Sequence, residues 1–440
     1  MADTIHTGTG PTPTISRVFP DGTLIECIYD AAASKTALAV CRPDGAVSIE
    51  SQIDLESGEH LVPYSPRNNL LASRCVLLPG DVGDFRDKGD LLGAVRAFIH
   101  RYVDLSPLFE EIAAHYVLLS WVYDAFNELP YLRFRGDWGT GKTRALLTVG
   151  SISYKPFFAS GASTVSPIFH VLDTFGGTLV LDEADLRFSD ATAELTKILN
   201  NGNMAGMPVL RTMTNRHREL NPHAFTVFGP KLIGMREHFG DRALESRFLT
   251  EETGQRPLRS DISIHLPDTL HEEALALRNR LLAWRFHARH RVAIDPSRAV
   301  AGVAPRLNQT ALPLLSIVDD PELRERIARE LVGEEARVRG ERASSTEYTV
   351  LAAICNVAAT SPITSIALGD VARHVSRKIS DNREDFLSPK TIGYVVRTKL
   401  RLPTVKSHGV YVIPNLARPA IAALAARYGV AFDQQHREAE

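Results

Sequence analysis

The chain carries almost no net charge. Its 50 lysines and arginines against 52 aspartates and glutamates leave a formal −2 over 440 residues. That balance excludes a polycation, so any nucleic-acid surface must be a local patch. Cysteine is scarce: Cys27, Cys41, Cys75 and Cys355 lie far apart, with no CxxC pair and no histidine at ligand spacing. This excludes a zinc ribbon or a disulfide framework and reads as reduced core residues of a cytoplasmic protein. Long apolar runs are missing too. The most apolar stretch, residues 116–126, is too short to span a bilayer, and residues 1–14 are rich in Thr, Gly and Pro with no apolar segment of the signal-peptide kind. No membrane partner is expected, and no internal repeat is visible.

What remains is ordinary globular composition, 44% hydrophobic and 23% charged, in a chain long enough for roughly two to four domains. Residues 1–14 read as a disordered tail. Residues 15–85 hold short β-like runs at 15–19, 23–29, 37–41, 46–49 and 75–78, separated by turns such as Pro20-Asp21-Gly22 and Pro43-Asp44-Gly45. They predict a small β-rich N-terminal domain. Helical periodicity follows over 88–102 and 107–126. Alternating apolar β runs and amphipathic helices then mark 86–260 as an α/β core with a parallel sheet. Charged helical stretches fill 261–342, a separate module spans 345–415, and a helix and tail close the chain at 416–440.

The chemistry begins where a short strand, 131–135, runs into Gly136-Asp137-Trp138-Gly139-Thr140-Gly141-Lys142-Thr143 and a helix starts at Lys142. Glycines let successive backbone N–H groups curl round a phosphate, and the helix N-terminus adds partial positive charge. Lys142 is expected to reach the β- and γ-phosphates, and the Thr143 hydroxyl to ligate Mg²⁺. The nucleotide is read as ATP. Further on, Gly177-Thr178-Leu179-Val180-Leu181-Asp182-Glu183 is an apolar strand ending in two carboxylates, which belong at the carboxyl edge of the sheet beside the loop. Asp182 would hold Mg²⁺ through its water shell, and Glu183 would polarise the attacking water. Asp185 reads as a cap or surface residue.

At this point the chain resembles the AAA+ superfamily, and more narrowly the ATPases of MCM-type helicases and of phage or plasmid replicative helicases. The resemblance covers about residues 110–315. It implies a P-loop core with a helical lid. It implies a γ-phosphate sensor at the end of the strand near 231–235, where the family carries a polar residue, usually Asn. Here that end reads Gly234-Met235-Arg236-Glu237, leaving Arg236 or Lys231 as candidates. Asp241-Arg242-Ala243-Leu244-Glu245-Ser246-Arg247-Phe248-Leu249 is similar to the segment that bears the arginine finger, which makes Arg247 a catalytic residue acting across a subunit interface, with Arg242 as the alternative. Ala304-Pro305-Arg306-Leu307-Asn308-Gln309 resembles the start of the lid and implies that Arg306 contacts the γ-phosphate in cis.

The segment 208–220 has two β-like arms around a basic tip. In helicase-type relatives a hairpin at this place grips the phosphate backbone, which implies DNA contacts from Arg211, Arg216, His217 and Arg218. Residues 346–414 read as a winged helix: helices at 347–359, 366–375 and 388–400, then a β pair at 404–407 and 410–413. Ser388 and Pro389 supply the cap and first turn of the third helix. The segment 388–406 has no acidic residue, and Lys390, Arg397 and Lys399 are placed to contact DNA. The function these features imply is an ATP-driven motor on single-stranded or forked DNA, working as a homo-hexamer in replication or a mobile element. The alternatives are an AAA+ switch that remodels a partner on DNA, or a regulatory ATPase of a defence system.

Overall fold

Five short strands, four of them buried over most of their length, form a parallel sheet at the centre of the chain. In chain order the elements around it are α1 (Lys88–Tyr102), α2 (Pro107–Trp121), β1 (Tyr131–Arg135), α3 (Lys142–Ser151), β2 (Phe157–Ser160), α4 (Val165–Phe175), β3 (Leu179–Asp182), α5 (Asp190–Asn201), β4 (Lys231–Met235), β5 (Phe248–Glu252), α6 (Thr269–Ala288) and α7 (Pro305–Ile317). This computed structural model describes residues 10–184, 190–214, 220–239, 241–343, 346–360, 365–378 and 388–432. The chain divides into two compact units at residues 328 and 329. Among the described residues no helix is long and apolar enough to cross a membrane.

The sheet order is β5-β1-β4-β3-β2, with every pair parallel. A parallel sheet is covered on both faces, so its strands read as continuous apolar runs. β3 is Leu-Val-Leu-Asp, with the three aliphatic residues at most 2% exposed. β1 departs from this pattern. Arg133 is 1% exposed in mid-strand, and its guanidinium is paired with Glu245 at 2.7 Å and donates to the Thr250 hydroxyl at 3.0 Å. Removing one member of such a buried pair costs about 3–5 kcal/mol.

The N-terminal β segment is not packed as a module of its own. Its strands Ser16–Val18, Leu24–Asp30, Lys35–Cys41 and Val47–Glu50 form an antiparallel sheet. Its inward residues, among them Ile25, Cys27, Leu38 and Val40, join one apolar cluster with Tyr131, Phe157 and Leu179 of the central sheet. A buried ionic knot completes the join: Glu26 meets Lys155 at 3.1 Å and Arg285 at 2.6 Å and accepts from the Tyr154 hydroxyl at 2.7 Å. Burial pushes the Glu26 carboxyl up, but the two cations outweigh it and hold it below the usual range. The run 75–78, expected as a strand, contributes only a single bridge from Val76 to Phe157.

Helix α6 packs against α1 and α2. Arg278 in its middle donates to the Ser151 carbonyl at 2.7 Å, at the last turn of α3. The expected lid helix therefore grips the far end of the phosphate-loop helix from the loop itself. The loop end is reached by the segment before α6, where Arg144 donates to the His265 carbonyl at 3.1 Å.

In the second unit, helices Thr346–Thr360, Leu368–Lys378 and Pro389–Tyr394 surround an apolar core, the last continuing as a π-type turn over Val395–Lys399. The hairpin Val405–Ser407 with Val410–Ile413 gains a third strand, Ile366–Ala367, which periodicity assigns to the start of a helix. Ser388 caps its helix by accepting from the Thr391 N–H at 3.1 Å.

Candidate phosphate-binding site

Three strand ends meet at one edge of the sheet. Met235 of β4 pairs with Arg135 of β1, and Ile233 with Leu181 of β3, so Gly136, Arg236 and Asp182 leave the sheet at similar height. The loop from Gly136 to Thr143 is shaped by close approach and by handedness. A Cβ on Gly136 would lie 2.4 Å from the Thr253 hydroxyl, and Gly139 and Gly141 have φ of 73° and 94°, which favour glycine. Thr140 donates to the Asp137 carbonyl at 2.8 Å and meets the Thr253 hydroxyl at 2.8 Å, pinning the loop to the end of β5. The Lys142 ammonium arches back over the loop to the Gly136 and Asp137 carbonyls, at 2.7 and 2.5 Å. Trp138, at the loop's crest, is 78% exposed.

The acidic strand answers the loop directly. The Thr143 hydroxyl donates to Asp182 Oδ2 at 2.5 Å, and Asp182 Oδ1 accepts the Glu183 N–H at 2.9 Å. β4 lies between the two strands and must let the carboxylate pass: a Cβ at Gly234 would come within 2.8 Å of Asp182 Oδ1. Glu183 is exposed and has φ of 54°, a left-handed conformation that costs a non-glycine residue about 1–3 kcal/mol. Gly161 makes room for this turn, since a Cβ there would lie 2.6 Å from the Glu183 carbonyl. Strain at an acid standing beside a phosphate loop points to function.

Among the described residues there is no group of three or more His, Cys, Asp or Glu that could cage a metal. One hydroxyl and one carboxylate converging beside a phosphate loop suit Mg²⁺, which keeps waters and takes its remaining oxygens from phosphate. Thr143 and Asp182 are the residues that would hold it. The ion would neutralise phosphate charge. The chain itself would supply loop N–H groups, the Lys142 cation and the Glu183 carboxylate.

Other expected residues lie elsewhere. Arg247 precedes β5, and its carbonyl accepts the Tyr131 N–H at the start of β1, so it sits at the opposite, amino edge of the sheet, roughly 15 Å from the loop by strand rise. It is 7% exposed and donates to Asn200 Oδ1. Glu245 and Glu251, acids near it in sequence, are engaged by Arg133 and by Ser106. Arg306 shares a cavity of about 180 Å³ with Arg247, Asn200 and Glu128. Arg306 thus stands with Arg247 at the amino edge, away from its own loop. Lys231 is excluded as a phosphate sensor. It opens β4 at the amino edge, fully buried, with Nζ donating to the carbonyls of Gly202, Val227 and Gly229 at 3.2, 3.0 and 2.9 Å.

The hairpin expected at 208–220 is present, Val209–Thr214 against Leu220–Phe225. Arg211 lies in its first arm, not at its tip. Its guanidinium is paired with Glu194 at 3.0 Å and lies 3.9 Å from the centre of the Phe169 ring. Arg216, His217 and Arg218 lie outside the described residues, as does Asp185. In the second unit Lys390, Arg397 and Lys399 are exposed, and Tyr394 and Tyr411 expose 53% each beside them in sequence or by stacking on Arg397. Sequence reasoning missed Gly234, Gly161 and Thr253. A glycine one residue before the end of a core strand was the available signal for the first.

A glycine-rich loop of the phosphate-binding pattern thus leaves a parallel α/β sheet, with an acidic strand two positions away. No family model and no curated protein matches the sequence. Among solved structures the chain is similar to helicases. The apo C-terminal region of NrS-1 is 12% identical, with 89% of this chain and 96% of that chain covered and a TM-score of 0.39. SCCmec type IV Cch, described as an active helicase, is 12% identical over 93% and 95% with a TM-score of 0.36. An MCM homolog from Methanopyrus kandleri is 12% identical over 69% and 68%, also at 0.36.

Proposed function

We propose that this chain is a Mg²⁺-dependent ATPase of the AAA+ kind that works as an oligomeric motor on DNA. The observation that carries the ATPase reading is the Thr143–Asp182 hydrogen bond at 2.5 Å, with the strained Glu183 next in sequence. Together they support a cation site and a general base beside the phosphate loop. ATP binds through Gly136, Trp138, Gly139, Thr140, Gly141, Lys142 and Thr143, and Glu183 orients the attacking water.

The assembly reading is supported by the amino-edge cavity. Two guanidiniums share it, and burial and then Arg306 depress the Arg247 pKa below its ordinary value. Arg247 Nε is buried there without a hydrogen-bond partner among the described residues. An anion relieves both costs. The phosphates of a nucleotide on a neighbouring copy supply one, so both arginines serve in trans within a ring, which we take to be a hexamer.

The DNA reading is supported by the paired arms Val209–Thr214 and Leu220–Phe225, between which the sequence carries Arg216, His217 and Arg218, and by the second unit. That unit has the helix and strand order of a winged helix, with Lys390, Arg397, Lys399 and exposed tyrosines available for backbone and base contacts. Residues 261–342 serve as the helical lid in this reading.

The test pairs ATP turnover with strand displacement on forked DNA. Lys142→Ala abolishes nucleotide binding, while Glu183→Gln binds ATP and turns it over about 10²-fold more slowly or worse. A Glu183→Gln protein that hydrolyses at the normal rate removes the catalytic assignment. Robust ATPase without DNA stimulation or strand displacement removes the motor.

A further inference from the structure

The chain as a whole is close to neutral, but its second unit concentrates cations. From Ser388 to Phe432 there is no aspartate or glutamate. Lys390, Arg397, Lys399, Arg401 and Lys406 are exposed there. Two aromatic rings accompany them, Tyr394 on the helix and Tyr411 on the hairpin, each 53% exposed. The helix itself is interrupted. Pro389–Tyr394 is α-helical for six residues, about 9 Å, and the chain then opens into the π turn Val395–Lys399. In an unbroken helix Lys390 and Arg397, seven residues apart, would share one face. Here Arg397 turns to the hairpin: its guanidinium carbon lies 5.5 Å from the centre of the Tyr411 ring. Gly393 leaves room for it, since a Cβ there would lie 3.1 Å from Arg397 Nη2. Arg397 thus joins helix to hairpin, and an exposed tyrosine stands on each.

We infer that this surface takes single-stranded DNA, stacking unpaired bases on Tyr394 and Tyr411 while the cations hold the phosphates. This rests on the DNA reading above and specifies which form of DNA the second unit takes. A duplex keeps the faces of its bases inside the stack and offers a protein only their edges. Exposed tyrosines gain little from such a target, whereas every base of a single strand presents a face to stack on. Edges in a groove are read by a regular helix carrying Arg, Asn or Gln. Residues 388–400 contain no Asn or Gln, and their one arginine, Arg397, lies against Tyr411. A guanidinium stacked on a ring extends the flat surface and adds a charge beside it, which suits a base and its phosphate together. Binding of this kind is indifferent to sequence, as a strand moving through a motor requires.

The full-length protein, without nucleotide, is titrated by fluorescence anisotropy into three labelled probes of equal length: oligothymidine, an abasic strand with the same phosphates, and a duplex. The wild type binds oligothymidine more tightly than the abasic strand. Tyr394→Ala combined with Tyr411→Ala weakens oligothymidine about tenfold or more and leaves the abasic strand and the duplex within about twofold of wild type. Both rings are exposed, so a thermal melt of this double variant matches wild type. Tyr411→Phe, which keeps the ring, keeps the preference for bases. Lys399→Glu combined with Lys406→Glu weakens oligothymidine and the abasic strand alike, because phosphate contacts ignore the base. Three results overturn the inference and leave the DNA reading in place: equal binding of oligothymidine and the abasic strand, a wild-type preference for bases in the double tyrosine variant, or a loss of duplex binding in that variant as large as its loss of oligothymidine. If the wild-type protein binds none of the three probes, the DNA reading itself fails.

Discussion

Gly234→Ala adds one methyl group where the phosphate loop and the acidic strand meet across β4. Its Cβ would lie 2.8 Å from Asp182 Oδ1 and 2.7 Å from Leu146 Cδ1. Regaining ordinary contact near 3.5 Å requires each neighbour to yield by about 0.7 Å. Leu146 is 2% exposed inside α3 and has nowhere to go, whereas Asp182 is only half-buried and rotates. Overpacking costs about 1–3 kcal/mol in stability. The larger effect is chemical, because a displaced Asp182 gives up its bond from Thr143, a charge-assisted contact worth about 1.5–3 kcal/mol. At about 1.4 kcal/mol per decade, the Mg²⁺ concentration for half-maximal ATPase rises about tenfold or more. Nucleotide binding in EDTA, which depends on loop N–H groups and Lys142, stays close to normal. The assay is ATPase rate against Mg²⁺, beside a thermal melt. A folded Gly234→Ala protein with an unshifted Mg²⁺ midpoint refutes the argument that β4 must be bare for Asp182 to serve the ion. If that variant folds poorly, adding Leu146→Val relieves the aliphatic clash and leaves the carboxylate clash, so the midpoint must remain shifted.

Two further outcomes follow from the amino edge. Mixing Arg247→Ala with Lys142→Ala restores part of the ATPase activity, because some interfaces then pair an intact loop with an intact arginine; two folded variants that show no recovery sink the trans assignment. Arg306→Ala substituted for Arg247→Ala behaves the same way if the shared cavity is one anion site. Lys231 gives a pH signature. Burial lowers its pKa to about 7 from an ordinary 10.5. Between those values the unfolded chain holds a proton that the folded chain does not, so stability rises with pH across this window, and the burial penalty is fully expressed below it. From pH 7 to 9 the wild type should gain about 1–3 kcal/mol relative to Lys231→Met in denaturant melts; parallel pH profiles for the two proteins would count against a pKa lowered by burial.

The phosphate loop was legible because its information is local. Gly136, Gly139, Gly141 and Lys142 act within one strand–loop–helix turn, and backbone freedom at a glycine needs no distant partner to be read. The apolar run ending in Asp182 and Glu183 was legible for the same reason. The helix start at Ser388, a cap followed by proline, was equally readable. Misreadings came where a residue's environment is supplied by another part of the chain. Residues 75–78 alternate like a strand but find one bridging partner, and no local pattern in 15–85 shows that its apolar face joins the cluster of the central sheet.

By itself, the sequence determined a glycine-rich loop of the phosphate-binding pattern and an apolar strand ending in two carboxylates, since both are written in contiguous residues. Tertiary structure decided their relation. The order β5-β1-β4-β3-β2 inserts β4 between them, makes Gly234 the gap through which Asp182 meets Thr143, and aims Arg236 at the loop while burying Lys231 at the other end. It also gathers Arg247 and Arg306, distant in sequence, into one cavity away from their own loop. The physical reason is that strand order is set by how apolar faces are covered across the whole core. Periodicity along a chain reports which face is apolar and not which neighbour will cover it.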